Sequence, residues 1–155
     1  MTEEYTRAKK KALYLLSRRD YGKAELIKKL GRDFDPEAAE AAAERLEELG
    51  LINDENYAKR YFEILVNTKM LAPKTAKYML SQKGLPPEIV EEISEETEID
   101  EVSQIRALIE KKYKNSLDDD KGTRRAAAAL ARKGYAYSDI KKAMRDYIDG
   151  ELYDE

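Results

Sequence analysis

The sequence predicts an all-α protein of three tandem three-helix repeats, stacked into an elongated, curved array of right or left hand. Three observations carry that expectation. Only 7 Gly and 4 Pro punctuate 155 residues, and apolar residues recur at helical spacing almost throughout, which gives nine helices and no strand. A stop signal is repeated: Leu80-Ser81-Gln82-Lys83-Gly84-Leu85 and Leu130-Ala131-Arg132-Lys133-Gly134-Tyr135 share the order Leu, two polar or small residues, Lys, Gly, apolar. Charge alternates along the chain with the same period.

The first repeat, 1–53, holds a degenerate copy of the stop signal at Leu30 to Phe34, one residue shorter and without Gly before its aromatic residue. Asp35-Pro36-Glu37 then starts a helix whose Ala39, Ala42, Leu46 and Leu49 share a face. Leu51-Ile52-Asn53-Asp54 joins it to the second repeat, 54–100, with Asn53 or Asp54 as the helix cap. There Tyr57, Tyr61 and Leu65 form one apolar row beside Ala58, Phe62 and Val66, placing both tyrosines in the core. Gly84 ends a helix at a left-handed position and Pro86-Pro87-Glu88 begins the next. The third repeat, 101–150, opens on a face of Ile105, Leu108 and Ile109. Asp118 to Asp120 caps the helix carrying Arg124 to Lys133, Gly134 ends it, and Ser138-Asp139 signals the last helix; 151–155 is an acidic tail. Units of about fifty residues have marginal cores alone, so neighbours stack. Leu26, Leu46, Phe62, Leu80 and Leu130 are expected to be structural.

The composition excludes most familiar chemistry. With no Cys there is no thiolate nucleophile or zinc–thiolate site, and with no His the commonest neutral-pH acid–base group and metal ligand are missing. Gly22-Lys23 is not a phosphate loop, because Ser17 stands where the first Gly belongs and Ala24 where the magnesium-binding hydroxyl belongs. A calcium loop starting at Asp118 would put Gly122 one position early and Ala129 in place of the bidentate Glu. Glu47-Glu48, Glu91-Glu92 and Glu95-Glu96 lie in strongly polar helices, where nothing raises a carboxyl pKa for general-acid work. No enzymatic activity, cofactor, metal site or catalytic residue is expected. The longest apolar stretches are too short to span a membrane, and a soluble, cytoplasmic protein is expected.

The net charge of −3 conceals a pattern. Residues 1–32 carry ten basic and four acidic side chains, 33–53 one and seven, 54–84 six and three, 85–100 none and seven, 101–145 twelve and six, and 146–155 none and five. If the basic helices share a face, Arg18, Arg19, Lys23, Lys69, Lys74, Lys77, Lys83, Arg124, Arg125, Arg132 and Lys133 form a positive stripe for a phosphate backbone or an acidic protein surface. The plainer alternative is solvation with weak surface salt bridges. Tyr21, Tyr78, Tyr135 and Tyr137, near basic residues, are stacking platforms or interface anchors on the first reading and ordinary packed rings on the second, with Tyr137 the most open.

Several segments resemble one family, the RecX regulatory proteins, bacterial modulators of the RecA recombinase. Leu16-Ser17-Arg18-Arg19-Asp20-Tyr21-Gly22-Lys23-Ala24-Glu25-Leu26 looks like the family's basic–aromatic segment followed by Ala-Glu-Leu. Leu49-Gly50-Leu51-Ile52-Asn53-Asp54-Glu55-Asn56-Tyr57-Ala58 resembles its Gly-Leu-Ile/Leu-Asn/Asp-Asp junction, and Arg124 to Tyr135 with Ile140 repeats the style. Order and spacing carry the match over nearly the whole chain. The departures are the missing Gly before Phe34, Ala72-Pro73 where the family often has a Gly, and the acidic overall balance. The resemblance implies a non-catalytic, monomeric protein that binds the RecA filament on single-stranded DNA and reduces ATP hydrolysis, strand exchange and co-protease activity. Partner binding, to RecA or DNA, is then expected at Arg18, Arg19, Lys69, Lys74, Lys77, Arg124, Arg125, Arg132 and Lys133. Direct DNA binding is expected to be weak at most. The alternative is a nucleic-acid-binding protein of helix-turn-helix-like units, with Arg124 to Lys133 against a DNA backbone.

Overall fold

The computed structural model describes residues 2–153, with side chains as far as residue 149. Among these residues there are nine α-helices and no strand: α1 (Glu3–Arg18), α2 (Lys23–Leu30), α3 (Pro36–Glu48), α4 (Asp54–Glu63), α5 (Pro73–Gln82), α6 (Pro87–Glu96), α7 (Glu101–Leu108), α8 (Asp120–Arg132) and α9 (Tyr137–Tyr153). Of the acidic tail, 151–153 continue the α9 backbone and 154–155 lie outside the described residues. Among the described residues, no helix is long and apolar enough to cross a membrane.

The helix starts follow from side-chain caps that satisfy free backbone N–H groups. Thr2 Oγ1 accepts from the Tyr5 N–H at 3.1 Å, Asp100 Oδ1 from Ser103 at 3.2 Å, and Asp119 Oδ1 from Gly122 at 2.6 Å. Pro36, Pro73 and Pro87 open their helices where a missing N–H costs nothing. Of the two expected caps for α4, Asn53 takes the role, its Oδ1 accepting from Asn56 at 3.1 Å. Asp54 instead caps α2: its Oδ1 accepts from the Lys23 N–H at 2.8 Å, replacing the side chain that Gly22 lacks. The last helix begins at Tyr137, one residue before the expected Ser138.

Helices α4 and α7 each run into one wider π turn, Ile64–Thr68 and Ile109–Tyr113, and the second leads into a 3-10 turn, Lys114–Asp118. The wider turn at the end of α4 hands its carbonyls to new donors: Lys69 N to Ile64 O, Leu71 N to Leu65 O, and Gln104 Nε2 to Val66 O, all at 2.9 Å. Periodicity in sequence does not distinguish such a turn from ordinary α-helix.

The chain gathers into two compact units, Met1–Phe62 with Lys77–Glu95, and Glu63–Ala76 with Glu96–Glu155. In the first, α1 and α3 meet through Ala8, Ala12, Ala39, Ala42 and Ala43, all fully buried, and Leu26, Leu30 and Leu46 complete the core. In the second, Ile105, Leu108, Ile109, Ala126, Leu130, Tyr135, Ile140 and Ala143 pack together with Ala72. Each fully buried Leu contributes about 1.5–3 kcal/mol, and the five residues expected to be structural are all 2% exposed or less. Tyr57 is buried, whereas Tyr61 is half-buried and corrects the placement of both in the core.

The Lys-Gly stop signals fold alike. Gly84 (φ 79°) and Gly134 (φ 101°) take the left-handed conformation that a side chain disfavours. In the degenerate copy, Gly31 keeps φ −64° and the chain leaves α2 without a left-handed residue. Gly134 is further constrained, because a Cβ there would run into the Oγ1 and Cβ of Thr75. The turn is tied to the loop before α5 by three bonds: Ala72 N to Lys133 O (2.9 Å), Lys133 Nζ to Lys69 O (3.0 Å) and Tyr135 Oη to Met70 O (2.7 Å). Met70 is itself left-handed at φ 56°, so Tyr135 holds a residue the backbone alone would resist.

Two stability measurements check this account. Gly134→Ala should lower the urea-unfolding free energy by about 2–3 kcal/mol, whereas Gly50→Ala, at φ 78° with no atom within 4 Å of its Cβ, should cost about 1 kcal/mol. Equal losses would refute the contact argument. Burial also pushes the Tyr135 phenol above its ordinary pKa, so the fold favours the neutral, donating form. Its stabilisation is complete below the unfolded tyrosine pKa near 10 and falls as pH rises beyond it. Tyr135→Phe should cost about 1–2 kcal/mol at neutral pH and make the alkaline loss of stability shallower.

Candidate partner-binding surface

The second helix of each repeat has the same register. Leu30, Leu80 and Leu130 are equivalent, and with Leu26, Ala76 and Ala126 they form the inward rows, each 1% exposed or less. The residues at the opposite register positions are exposed every time: Ala24, Lys28, Gly31 and Arg32 on and just past α2; Lys74, Tyr78, Ser81 and Gln82 on α5; Arg124, Ala128, Ala131 and Arg132 on α8. One helical period thus buries a narrow apolar row and presents an outward face in three versions.

The α8 face carries the most charge. Lys121, Arg124, Arg125 and Arg132 are exposed beside Ala128 and Ala131, with Asp120 at the edge of the face one turn before Arg124, and none of these four cations pairs with a carboxylate among the described residues. The small alanines allow a phosphate or carboxylate to approach the guanidinium groups closely. Asp119 caps the start of the helix and Asp120 lies in its first turn, where a carboxylate suits the helix dipole.

The nine expected contact residues fall into three groups. Arg124, Arg125 and Arg132 come together on α8. Arg18, Lys69 and Lys74 are exposed and unpaired among the described residues, at the end of α1, in the loop after the π turn and in the first turn of α5. The remaining three are engaged within the fold. Arg19 pairs with Glu25 at 3.2 Å, and its guanidinium lies 3.7 Å from the centre of the buried Tyr21 ring. Lys77 pairs with Glu91 at 2.6 Å. Lys133 donates to the Lys69 carbonyl, and burial, with nearby Lys112, pulls its pKa down.

Two members of the wider stripe are also paired, Lys23 with Glu47 at 3.1 Å and Lys83 with Glu25 at 3.5 Å. The acidic segments fold back onto the basic helices beside them, so part of the alternation is internal ion pairing of small individual value. Tyr21 and Tyr135 are buried and offer no platform; Tyr78 and Tyr137 are 63% and 71% exposed.

On helix α1, Arg18 is the end of a longer basic face of which Arg7, Lys10, Lys11 and Tyr14 were not among the expected contact residues; all five recur at helical spacing and are not buried, opposite Ala8, Ala12 and Leu15. The same i, i+3, i+4, i+7 pattern was present in the sequence, but segment charge totals do not resolve faces.

An open groove of about 590 Å³ lies between α2 and α5, with Tyr61 of α4 at its side. Ala24, Met79 and Gly84 form its apolar part, while Glu25, Lys28, Gln82 and Lys83 supply its polar groups. Lys83 Nζ lies 5.6 Å from the Tyr61 ring centre.

Comparison with known proteins agrees with this architecture. Residues 8–46 and 98–144 match the models of the first and third three-helix domains of RecX. The chain is 33% identical over 130 residues to a regulatory protein RecX of Trichlorobacter lovleyi, covering 80% of this chain and 84% of that one. It is 31% identical over 153 residues to that of Amycolatopsis mediterranei, covering 94% and 87%. A crystal structure of RecX from Lactobacillus salivarius superposes with a TM-score of 0.77 at 26% identity, over 95% of this chain and 98% of that one. With an all-helical architecture, both domain matches and identity sustained over most of two full-length relatives, the chain belongs to the RecX family.

Proposed function

We propose that this chain is a non-catalytic, cytoplasmic regulator that binds the RecA filament on single-stranded DNA as a monomer. Binding lowers RecA's ATP hydrolysis, strand exchange and co-protease activity. The observation that supports this best is the α8 face, where Lys121, Arg124, Arg125 and Arg132 are exposed and form no ion pair among the described residues. Exposed cations separated by alanines favour fast, charge-steered docking on an anionic assembly and cost little to leave solvated in the free protein. In this reading the division into repeats 1–53, 54–100 and 101–150 lets successive second helices engage neighbouring subunits. Arg18, Lys69 and Lys74 add contacts, while Arg19, Lys77 and Lys133 mainly position them.

A second reading draws on the same face: the arginines of α8 would lie along a bare DNA backbone. Phosphate-dominated binding has a signature, a steep linear fall of log affinity with log salt.

The test adds purified protein to preformed RecA filaments and follows ATP hydrolysis and repressor self-cleavage. The expected result is inhibition at stoichiometric concentration, weakened about tenfold or more by Arg124→Glu/Arg125→Glu/Arg132→Glu without a change in melting temperature. Wild-type protein without effect would overturn the proposal. Tight, steeply salt-dependent binding to naked DNA with no effect on RecA would establish the second reading instead.

A further inference from the structure

We propose that the groove between α2 and α5 is an anchor pocket for one apolar side chain of an acidic partner segment, a deepening that rests on the RecA-binding function above. Its size suits a buried anchor: about 590 Å³ lies in the range of pockets that enclose small ligands, and accommodates a leucine or phenylalanine with its backbone. The lining is apolar where an anchor would insert. Ala24 is small, and Met79 is flexible and able to repack around an unspecified shape. Gly84, at a left-handed φ of 79°, lines that end without a side chain.

The charges around the groove select the sequence beside the anchor. Glu25 is already shared, at 3.2 Å by Arg19, at 3.5 Å by Lys83 and at 3.3 Å by the Gly22 N–H. Lys28 stands exposed at the rim with no carboxylate partner among the described residues. Among the residues that line the groove, Lys28 and Lys83 face the single carboxylate of Glu25, whose charge Arg19 also shares from outside the groove, leaving an excess of one positive charge beside an apolar floor. That combination fits an apolar residue flanked by Asp or Glu.

A nucleic-acid strand fits less well. The Tyr61 ring offers a base little free surface. Lys83 Nζ lies 5.6 Å from its centre and the Tyr57 ring 6.0 Å away at an interplanar angle of 31°. A stacking platform needs an open face.

The test uses three full-length variants and RecA filaments assembled on single-stranded DNA. Ala24→Trp fills the groove from an exposed helix position, Lys28→Glu reverses the rim charge without touching the core, and Gln82→Cys introduces the chain's one thiol, since the sequence has no cysteine. The thiol carries a benzophenone photocrosslinker. Ala24→Trp and Lys28→Glu should each weaken filament binding about tenfold or more with unchanged melting temperature, and the crosslink should map to a RecA segment carrying an apolar residue between carboxylates. Wild-type protein that does not bind the filament would overturn the proposed function and this inference together. Wild-type binding matched by both groove variants, or a crosslink to DNA, to a second copy of this chain or to a basic RecA segment, would overturn this inference alone.

Discussion

At Gly134 there is no room for a side chain. A Cβ would enter the space of the Thr75 hydroxyl, so the turn after α8 lies directly on the start of α5, and the Ala72, Lys69 and Met70 backbone groups are bound by Lys133 and Tyr135 across that contact. The first unit repeats the construction in milder form. Gly84 sits above Ala24, and a Cβ on Gly22 would stand 3.3 Å from Leu85. Each Lys-Gly turn thus rests on the beginning of the second helix one repeat earlier; close approach requires the glycine at 134, whereas at 84 the left-handed backbone angle does. In the degenerate copy, Gly31 keeps an ordinary helical angle and the Lys-Gly pair is absent.

The start of α8 is packed just as closely. The 3-10 turn Lys114–Asp118 lies against it, and a Cβ on Gly122 would meet the Ser116 carbonyl. Asp119 completes the contact by accepting from the Gly122 N–H. This packing leaves Arg124, Arg125 and Arg132 exposed on the outward face of α8.

Local signals in the sequence were read correctly because they depend on neighbours within one helical turn. The nine helices, the left-handed glycines at 84 and 134, the Asp119 cap and the buried leucines all rest on spacing of four residues or fewer. The misread features depend on distant partners. Asp54 caps a helix 31 positions back, Lys133 finds a carbonyl 64 positions away, and Lys77 and Glu91 pair across a helix–helix turn. Tyr61 was placed inside by periodicity, yet the small residues around it open a groove at its side, a property of packing between helices rather than of its own helix. The candidate surface was accordingly half legible: the arginines of α8 stand where the helical wheel puts them, whereas Arg19 and Lys133 spend their hydrogen bonds internally.

The alternation of charge can now be divided by use. Acidic segments that follow a basic helix supply the carboxylates for Lys23 and Lys77, through Glu47 and Glu91, and these exposed pairs add little individually to stability. Their larger effect is on specificity. A chain with the same basic faces and no acidic segments would adhere to any polyanion, whereas a net charge of −3 leaves the long-range field weakly repulsive to nucleic acid. Attraction then depends on short-range match at particular faces, above all α8, because beyond about 10 Å at ordinary salt such fields are screened. Docking through such a face therefore requires a surface that combines negative charge with the right spacing of contacts, because charge alone does not offset the repulsion of the whole.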